Sequence, residues 1–246
     1  HGTYSHAVKK EPMLAADEDV LADTYQPVRL QPYVATPEEI AAAEKVLSFA
    51  RIRIPGRNSS SRPLLFARVG TPSLVLIGAD DPAAMLSHTD ACRDHGLPFA
   101  ADPSQQLARL DGDDARRLIQ GAAYLFTNEY EASIIQQKTG WSATELKANV
   151  GVQVITHGRD GATVIGDEGS VFVPVAPDRA RVDPTGVGDA FRSGFIAGLT
   201  WRLSHERCAQ IGSLLAAHVV ETVGTQEYDL TPASFLDRLA QAYGAQ

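Results

Sequence analysis

From about residue 71 onward, apolar and polar positions alternate in blocks that read as strands and helices in turn. Ser73-Leu74-Val75-Leu76-Ile77-Gly78 is a short continuous apolar run ending in glycine, the pattern of a strand buried on both faces. Asp81-Pro82-Ala83-Ala84-Met85-Leu86 follows as a helix start, with Asp as N-cap and Pro in the first turn. The runs at 97–102, 122–128 and 152–156 predict three further strands, the last ending at His157-Gly158. Amphipathic stretches at 113–120 and 142–148 lie between them. Repeated strand–helix–strand order implies an α/β fold with a mostly parallel sheet covered on both faces.

The pattern then changes. Ala162 to Ile165, an acidic glycine turn over Gly166-Asp167-Glu168-Gly169, and Ser170 to Val173 predict a hairpin. A glycine-rich turn occupies 183–189. A helical region runs from Ala190 to about Val223, broken near Trp201 to Ser204, and Pro232 to Tyr243 reads as a final amphipathic helix.

Residues 1–70 do not fit this scheme. Thr36-Pro37-Glu38-Glu39 starts a helix read over Ala35 to Phe49, without a periodic apolar pattern around it. The stretch from Arg51 to Pro63 is rich in Arg, Ser and Pro. It reads either as a flexible basic linker or as out-of-frame coding. The Lys-Ser/Thr ending of a P-loop is absent after Gly56. The chain is therefore read as an atypical segment, 1–70, followed by a catalytic and nucleotide-binding part, 71–246. The missing initiator Met suggests a fragment, a processed product or a trimmed chain.

Composition narrows the classes. Among 246 residues, 44% are hydrophobic and 21% charged, which is the balance of a globular protein. A formal net charge of −8 argues against a binder of nucleic-acid backbones. No apolar run is long enough for a transmembrane helix, so no membrane partner is expected. Two cysteines, Cys92 and Cys208, far apart in sequence, fit buried thiols in a reducing cytosol and a cytoplasmic location. The histidines show no zinc-site spacing.

The candidate chemistry lies in Asp183-Pro184-Thr185-Gly186-Val187-Gly188-Asp189. Gly186 and Gly188 let the backbone turn tightly and approach a ligand. A glycine turn opening a helix offers unpaired N–H groups and a positive dipole end to an anion. A transferring phosphoryl group, with charge on its equatorial oxygens, suits that position. Asp189, at the lip of the hole, can accept a proton from an attacking hydroxyl. From D-x-x-G-x-G-D alone, an ordinary Asp-capped glycine turn reads equally well.

Two more motifs change that balance. Asp-Pro-Thr-Gly-Val-Gly-Asp-Ala-Phe at 183–191 closely resembles the C-terminal signature of the PfkB, or ribokinase-like, carbohydrate kinases. Thr127-Asn128-Glu129-Tyr130-Glu131 is similar to that family's Asn-x-x-Glu motif. Thr156-His157-Gly158-Arg159-Asp160-Gly161 is similar to its Thr-x-Gly-x-x-Gly nucleotide loop. All three stand in family order. The stretches 100–109 and 221–228 are similar, almost word for word, to the adenosine kinase branch of actinobacteria.

The resemblance implies a ribokinase-like three-layer sandwich and an ATP-dependent kinase whose acceptor is adenosine or a related nucleoside or sugar. It implies Asp189 as base toward the ribose 5′-hydroxyl, and Gly186, Val187 and Gly188 as anion hole. It further implies Asn128 and Glu131 as organisers of Mg2+ through water, with Asn128 also at the nucleotide phosphates. Thr156, His157, Gly158, Arg159, Asp160 and Gly161 would line the ATP site, Gly224 and Thr225 would lie near the adenine, and Arg109 would reach the phosphates and substrate from the lid side. A monovalent cation near Asp183 and a homodimer stay open. Taken alone, Glu131 reads more often as a helix-dipole partner and Arg109 as a solvated surface residue.

The resemblance covers about residues 71 to 246. The family's N-terminal strands, its sugar-binding Asp, its Gly-Gly motif and its β lid are not found in 1–70. A catalytically weak or silent chain that at most binds nucleotide is therefore the alternative expectation, with a partner-binding arm in 1–70 as a third.

Overall fold

The computed structural model describes residues 46–48 and 71–244. Among these, seven strands form one sheet in strictly sequential order. They are β1 (Val46–Ser48), β2 (Leu74–Ile77), β3 (Phe99–Ala101), β4 (Tyr124–Asn128), β5 (Val152–Thr156), β6 (Gly161–Gly166) and β7 (Gly169–Pro174). β1 to β5 run parallel, and β6 and β7 complete the sheet as an antiparallel hairpin.

The helices follow from local signals. In α1 (Pro82–Asp94), Asp81 Oδ1 accepts from the amides of Ala83 at 3.1 Å and Ala84 at 3.3 Å, and Pro82 occupies the first turn. A 3₁₀ turn (Ser104–Arg109) leads into α2 (Gly112–Ile119), capped by Asp111. α3 (Glu129–Thr139) and α4 (Ala143–Asn149) both begin with reciprocal capping boxes, and Gly140 ends α3 in the left-handed region at φ 68°. α5 (Val187–Thr200) and α6 (His205–Val220) are separate helices, divided at Trp201 to Ser204 as the sequence predicts. α7 (Pro232–Tyr243) closes the described chain.

Alternating strand residues divide the core into two layers. Val75, Ile77, Phe99, Ala101 and Leu125 pack beneath α1 to α4. Leu74, Ala100, Phe126, Val154 and Val164 pack on the other face, against Phe191, Phe195 and Ile196 of α5 and Cys208 and Ala209 of α6. Helices cover both faces, as the alternation of elements predicts. Both cysteines are buried, and burial pushes the Cys208 thiol up to about 12.

α5 and α6 approach closely at two glycines. A Cβ on Gly194 would lie 2.8 Å from Gly212 Cα, and one on Gly212 would lie 2.5 Å from the Phe191 carbonyl oxygen. Neither position admits a larger residue without moving a helix.

The structure corrects the sequence reading in two places. Val46–Ser48, within the stretch read as a helix over 35–49, is a strand paired parallel with β2, with Val46 opposite Leu74. The sheet therefore gains a strand from the first 70 residues. Three residues are too few for periodicity to declare a strand, and the neighbouring backbone of β2 supplies the pairing. The strands read at 97–102 and 122–128 are shorter, at 99–101 and 124–128. The helix start at Thr36, the stretch at 51–63 and the missing sugar-binding elements lie outside the described residues.

Candidate active site

In a parallel sheet the strands deliver their carboxyl ends to one edge, where ligands of open α/β folds bind. Here that edge collects three sequence motifs. β3 runs out into Asp102, β4 ends at Asn128 and β5 ends at Thr156, with Asn128 and Thr156 directly paired. Thr156 Oγ1 also donates to the Thr127 carbonyl at 3.3 Å. The Asn-x-x-Glu motif and the nucleotide-loop motif are thus neighbours because their strands are neighbours in register.

Asn128 and Glu131 hold each other. Asn128 Oδ1 accepts from the Glu131 amide at 2.8 Å, and Glu131 Oε2 accepts from the Asn128 amide at 2.8 Å. This capping box secures the start of α3 and fixes both side chains at the sheet edge. The helix-dipole reading of Glu131 is correct as far as it goes. The Glu131 charge is also felt by Asp102 and Arg192. Hard oxygen donors of this kind fit a magnesium ion held through water, and Asn128 and Glu131 are the residues that would hold it.

The nucleotide-loop motif forms the β5–β6 turn. His157 N–H donates to the Gly161 carbonyl at 2.8 Å, and the Asp160 amide to the His157 carbonyl at 3.1 Å. Gly158 sits at φ 58° and Gly161 at φ 132°. A Cβ on Gly161 would lie 2.1 Å from the Val173 carbonyl oxygen, so only glycine fits beside β7. Sequence reasoning took His157 as a ligand contact by position. Both ring nitrogens have protein partners: Nδ1 lies 2.8 Å from Glu129 Oε1 and Nε2 lies 2.7 Å from Thr163 Oγ1. His157 braces the turn against the start of α3. Arg159 and Asp160 are exposed at its tip.

The turn at 183–189 is bound from several sides. Asp183 Oδ1 accepts from the Thr185 amide at 2.9 Å, and Oδ2 accepts from the Gly224 amide at 3.1 Å. Interactions with the Thr185 side chain and the amides of Thr185 and Gly224 hold the Asp183 carboxyl below the usual range. The amides of Val182 and Asp183 both donate to the Val220 carbonyl, at 2.8 and 3.3 Å. Gly186 takes φ 81°, and a Cβ there would lie 2.7 Å from Thr225 Cγ2. Gly224 and Thr225 are therefore brought against the signature turn.

Gly186 is the N-cap of α5 and no side chain caps that helix. The Val187 amide reaches the Pro184 carbonyl at 3.3 Å and the Ala190 amide the Gly186 carbonyl at 2.9 Å. The Gly188 and Asp189 amides, in the first turn, have no intrahelical acceptor. With the positive end of the α5 dipole they offer a place suited to an anion.

Asp189 stands in this first turn beside Arg192, a residue that sequence reasoning did not single out. Arg192 Nη2 donates to Asp189 Oδ1 at 2.8 Å, and Arg192 Nε lies 2.8 Å from Asp102 Oδ2. The guanidinium packs on Gly188, where a Cβ would lie 3.3 Å from Nη1. Asp102 is 3% exposed, and its Oδ1 has no hydrogen-bond partner among the described residues. Burial pushes the Asp102 carboxyl up to about 6, against the pull of Arg192 and with a further push from Glu131. Burial also works against the Arg192 cation, but Asp102 and Asp189 more than offset it and raise its pKa. The i,i+3 spacing of Asp189 and Arg192 was the available signal in the sequence.

Arg109, assigned to the phosphates, is exposed at the end of the 3₁₀ turn, 3.4 Å from Gln106 Oε1 in the same turn. Its described hydrogen bond does not tie it to Asp189.

An uncapped helix start with a carboxylate at its lip, at the carboxyl edge of a parallel sheet, is an arrangement suited to an anionic ligand. The model of the pfkB family carbohydrate kinases matches residues 61–232, and the chain belongs to that family. A nucleoside kinase of Methanocaldococcus jannaschii is 26% identical over 153 residues, 62% of this chain and 50% of that protein. An inositol 3-kinase of Zea mays is 35% identical over 138 residues, 52% of this chain and 34% of that protein. The solved structure of Burkholderia thailandensis nucleoside kinase in complex with inosine superposes with a TM-score of 0.69 at 25% identity, covering 85% of this chain and 87% of that one. The chain spans about half the length of the nucleoside kinases it matches among curated relatives. The ribokinase-like α/β fold expected from the sequence is borne out.

Proposed function

We propose that this chain is the phosphoryl-transfer part of an ATP-dependent kinase of the cytoplasm, acting on a nucleoside or sugar hydroxyl, with adenosine as the leading acceptor. Residues 71–246 form the nucleotide-binding and catalytic part. The observation that carries the reading is Asp189 at the start of an uncapped helix, joined through Arg192 to Asp102 at the end of β3, on the sheet edge where β4 and β5 end at Asn128 and Thr156.

In this reading Asp189 accepts the proton of the attacking hydroxyl. The hydroxyl oxygen forms a bond to the γ-phosphorus as the bond to the bridging oxygen of ADP breaks. The amides around Gly188 stabilise the equatorial oxygens during the transfer. The turn from Thr156 to Gly161, with Gly224 and Thr225, borders the nucleotide, and Asn128 and Glu131 hold water around magnesium. Magnesium bound with ATP neutralises phosphate charge. Arg109, exposed at the end of the 3₁₀ turn, would reach the phosphates and substrate from the lid side.

Nucleoside acceptors are favoured because nucleoside kinases recur among the relatives and solved structures, one of them with inosine bound. The test is incubation of the full chain with MgATP and a panel of adenosine, inosine, ribose, fructose phosphates and myo-inositol. AMP formed from adenosine, and abolished by Asp189→Asn, supports the reading. Turnover that survives Asp189→Asn removes Asp189 as the base. ATP binding by calorimetry without turnover on any acceptor favours a nucleotide-binding chain without kinase activity.

A further inference from the structure

We propose that Arg192 is a positioning residue for the base: it clamps one oxygen of Asp189 and is itself anchored to the buried carboxylate of Asp102, so that Asp189 presents its other oxygen to the acceptor hydroxyl. The inference rests on the kinase reading above and adds to it a relay of three side chains.

The geometry assigns different duties to the two ends of the guanidinium. Nε is held by Asp102 Oδ2 and Nη2 by Asp189 Oδ1, each at 2.8 Å. A planar fork that meets two carboxylates cannot rotate without losing one of them. The Asp189 carboxylate is thereby fixed at Oδ1, and Oδ2 has no described hydrogen-bond partner. Arg192 also lies against Gly188, so the clamp and the anion hole share a wall. A base in an exposed first turn would otherwise sample several rotamers, and misplacement of a reacting group by about 1 Å can cost 10²-fold in rate.

Asp102 is an unusual anchor. It is nine-tenths buried or more, at the end of β3, and among the described residues its Oδ1 has no partner. A bare structural carboxylate would gain from a second donor, whereas the charged partner described for this one is Arg192. The charged groups around it are Arg192 of α5 and Glu131 of α3, with Asp189 across the guanidinium. As pH falls through about 6, Asp102 takes up a proton and its hold on Arg192 weakens. The clamp therefore loosens on the acid side.

The test compares wild type, Arg192→Lys, Arg192→Gln and Asp102→Asn as full chains. Arg192→Lys keeps the charge and loses the fork. It should lower kcat by about 10²-fold with KM for ATP unchanged. Arg192→Gln should do no less. Asp102→Asn keeps a polar partner for Nε. It should lower kcat by about tenfold and flatten the acid limb of the kcat–pH profile. A readout that needs no turnover is the Arg192 Nε–H resonance, assigned by its loss in Arg192→Lys. It should exchange slowly in wild type and fast in Asp102→Asn. Wild-type kcat in Arg192→Lys, or an acid limb unchanged in Asp102→Asn, overturns the inference. If wild type turns over no acceptor, the kinase reading fails on its own, and fast exchange of the Nε–H in wild type would then dispose of the clamp as well.

Discussion

The turn at 183–188 and the turn at 157–161 both need glycine at positive φ, yet they are surrounded in opposite ways. Gly186 is walled in by Thr225, and its turn is tied down through Asp183, the Val220 carbonyl and Arg192. Gly158 has open space where a Cβ would go, and its turn is braced chiefly at its root by His157. On the proposed kinase reading, the difference teaches that the two turns meet different demands. A hole for developing charge must be in place before reaction, because reorganising it during transfer would forfeit the stabilisation. A turn bordering a nucleotide can adjust as the ligand arrives.

The largest expected break in that comparison is Asp189→Asn, which should lower turnover by about 10²–10⁴-fold with the fold intact, measured as AMP formation and by thermal melting. Gly186→Ala comes next. Its Cβ would meet Thr225 Cγ2 at 2.7 Å and its φ of 81° disfavours a side chain, so the loss of stability should be about 2–3 kcal/mol in urea unfolding.

Asp102→Asn sharpens the comparison in the other direction. The folded carboxyl binds its proton near 6, above the unfolded value near 3.8, so between these values the folded state holds more protons than the unfolded one. Stability contributed by this group is present below the unfolded value and is lost as pH rises through about 6. The neutral Asn should therefore stabilise the protein at pH above 6 by roughly 1–3 kcal/mol, with little effect at pH 4. A variant that is more stable and less active would mark Asp102 as a site where stability is exchanged for function. The smallest effect belongs to Gly158→Ala, where only the φ of 58° is at stake, at about 1 kcal/mol.

Much of this arrangement was legible in the sequence because it rests on local chemistry. Leu74–Ile77 is a continuous apolar run, Val152, Val154 and Ile155 mark β5, and Asp81-Pro82 announces a helix start. The break between α5 and α6 is marked by Ser204, which caps α6. Asn128 and Thr156 fell together because consecutive parallel strands end on one edge. What stayed hidden needed the fold. Asp102 and Arg192 are far apart in sequence and meet only when β3 and α5 converge. His157 looked like a ligand contact because nothing in the sequence places Glu129 and Thr163 on its two nitrogens. Val46–Ser48 owes its strand conformation to the backbone of β2 alongside.

The carbonyl of Val220 holds the amides of Val182 and Asp183, and it belongs to the last residue of α6. Just beyond, Glu221 is gripped by Arg238 of α7. Hydrogen exchange gives this a meaning in time. If the end of α6 is the side that opens, the Val182 and Asp183 amides should exchange at the same rate as the last α6 amides, and both should speed up together in Arg238→Gln. The lifetime of the 183–189 turn is then set by the fraying of a helix end and by a salt bridge that grips the residue after it.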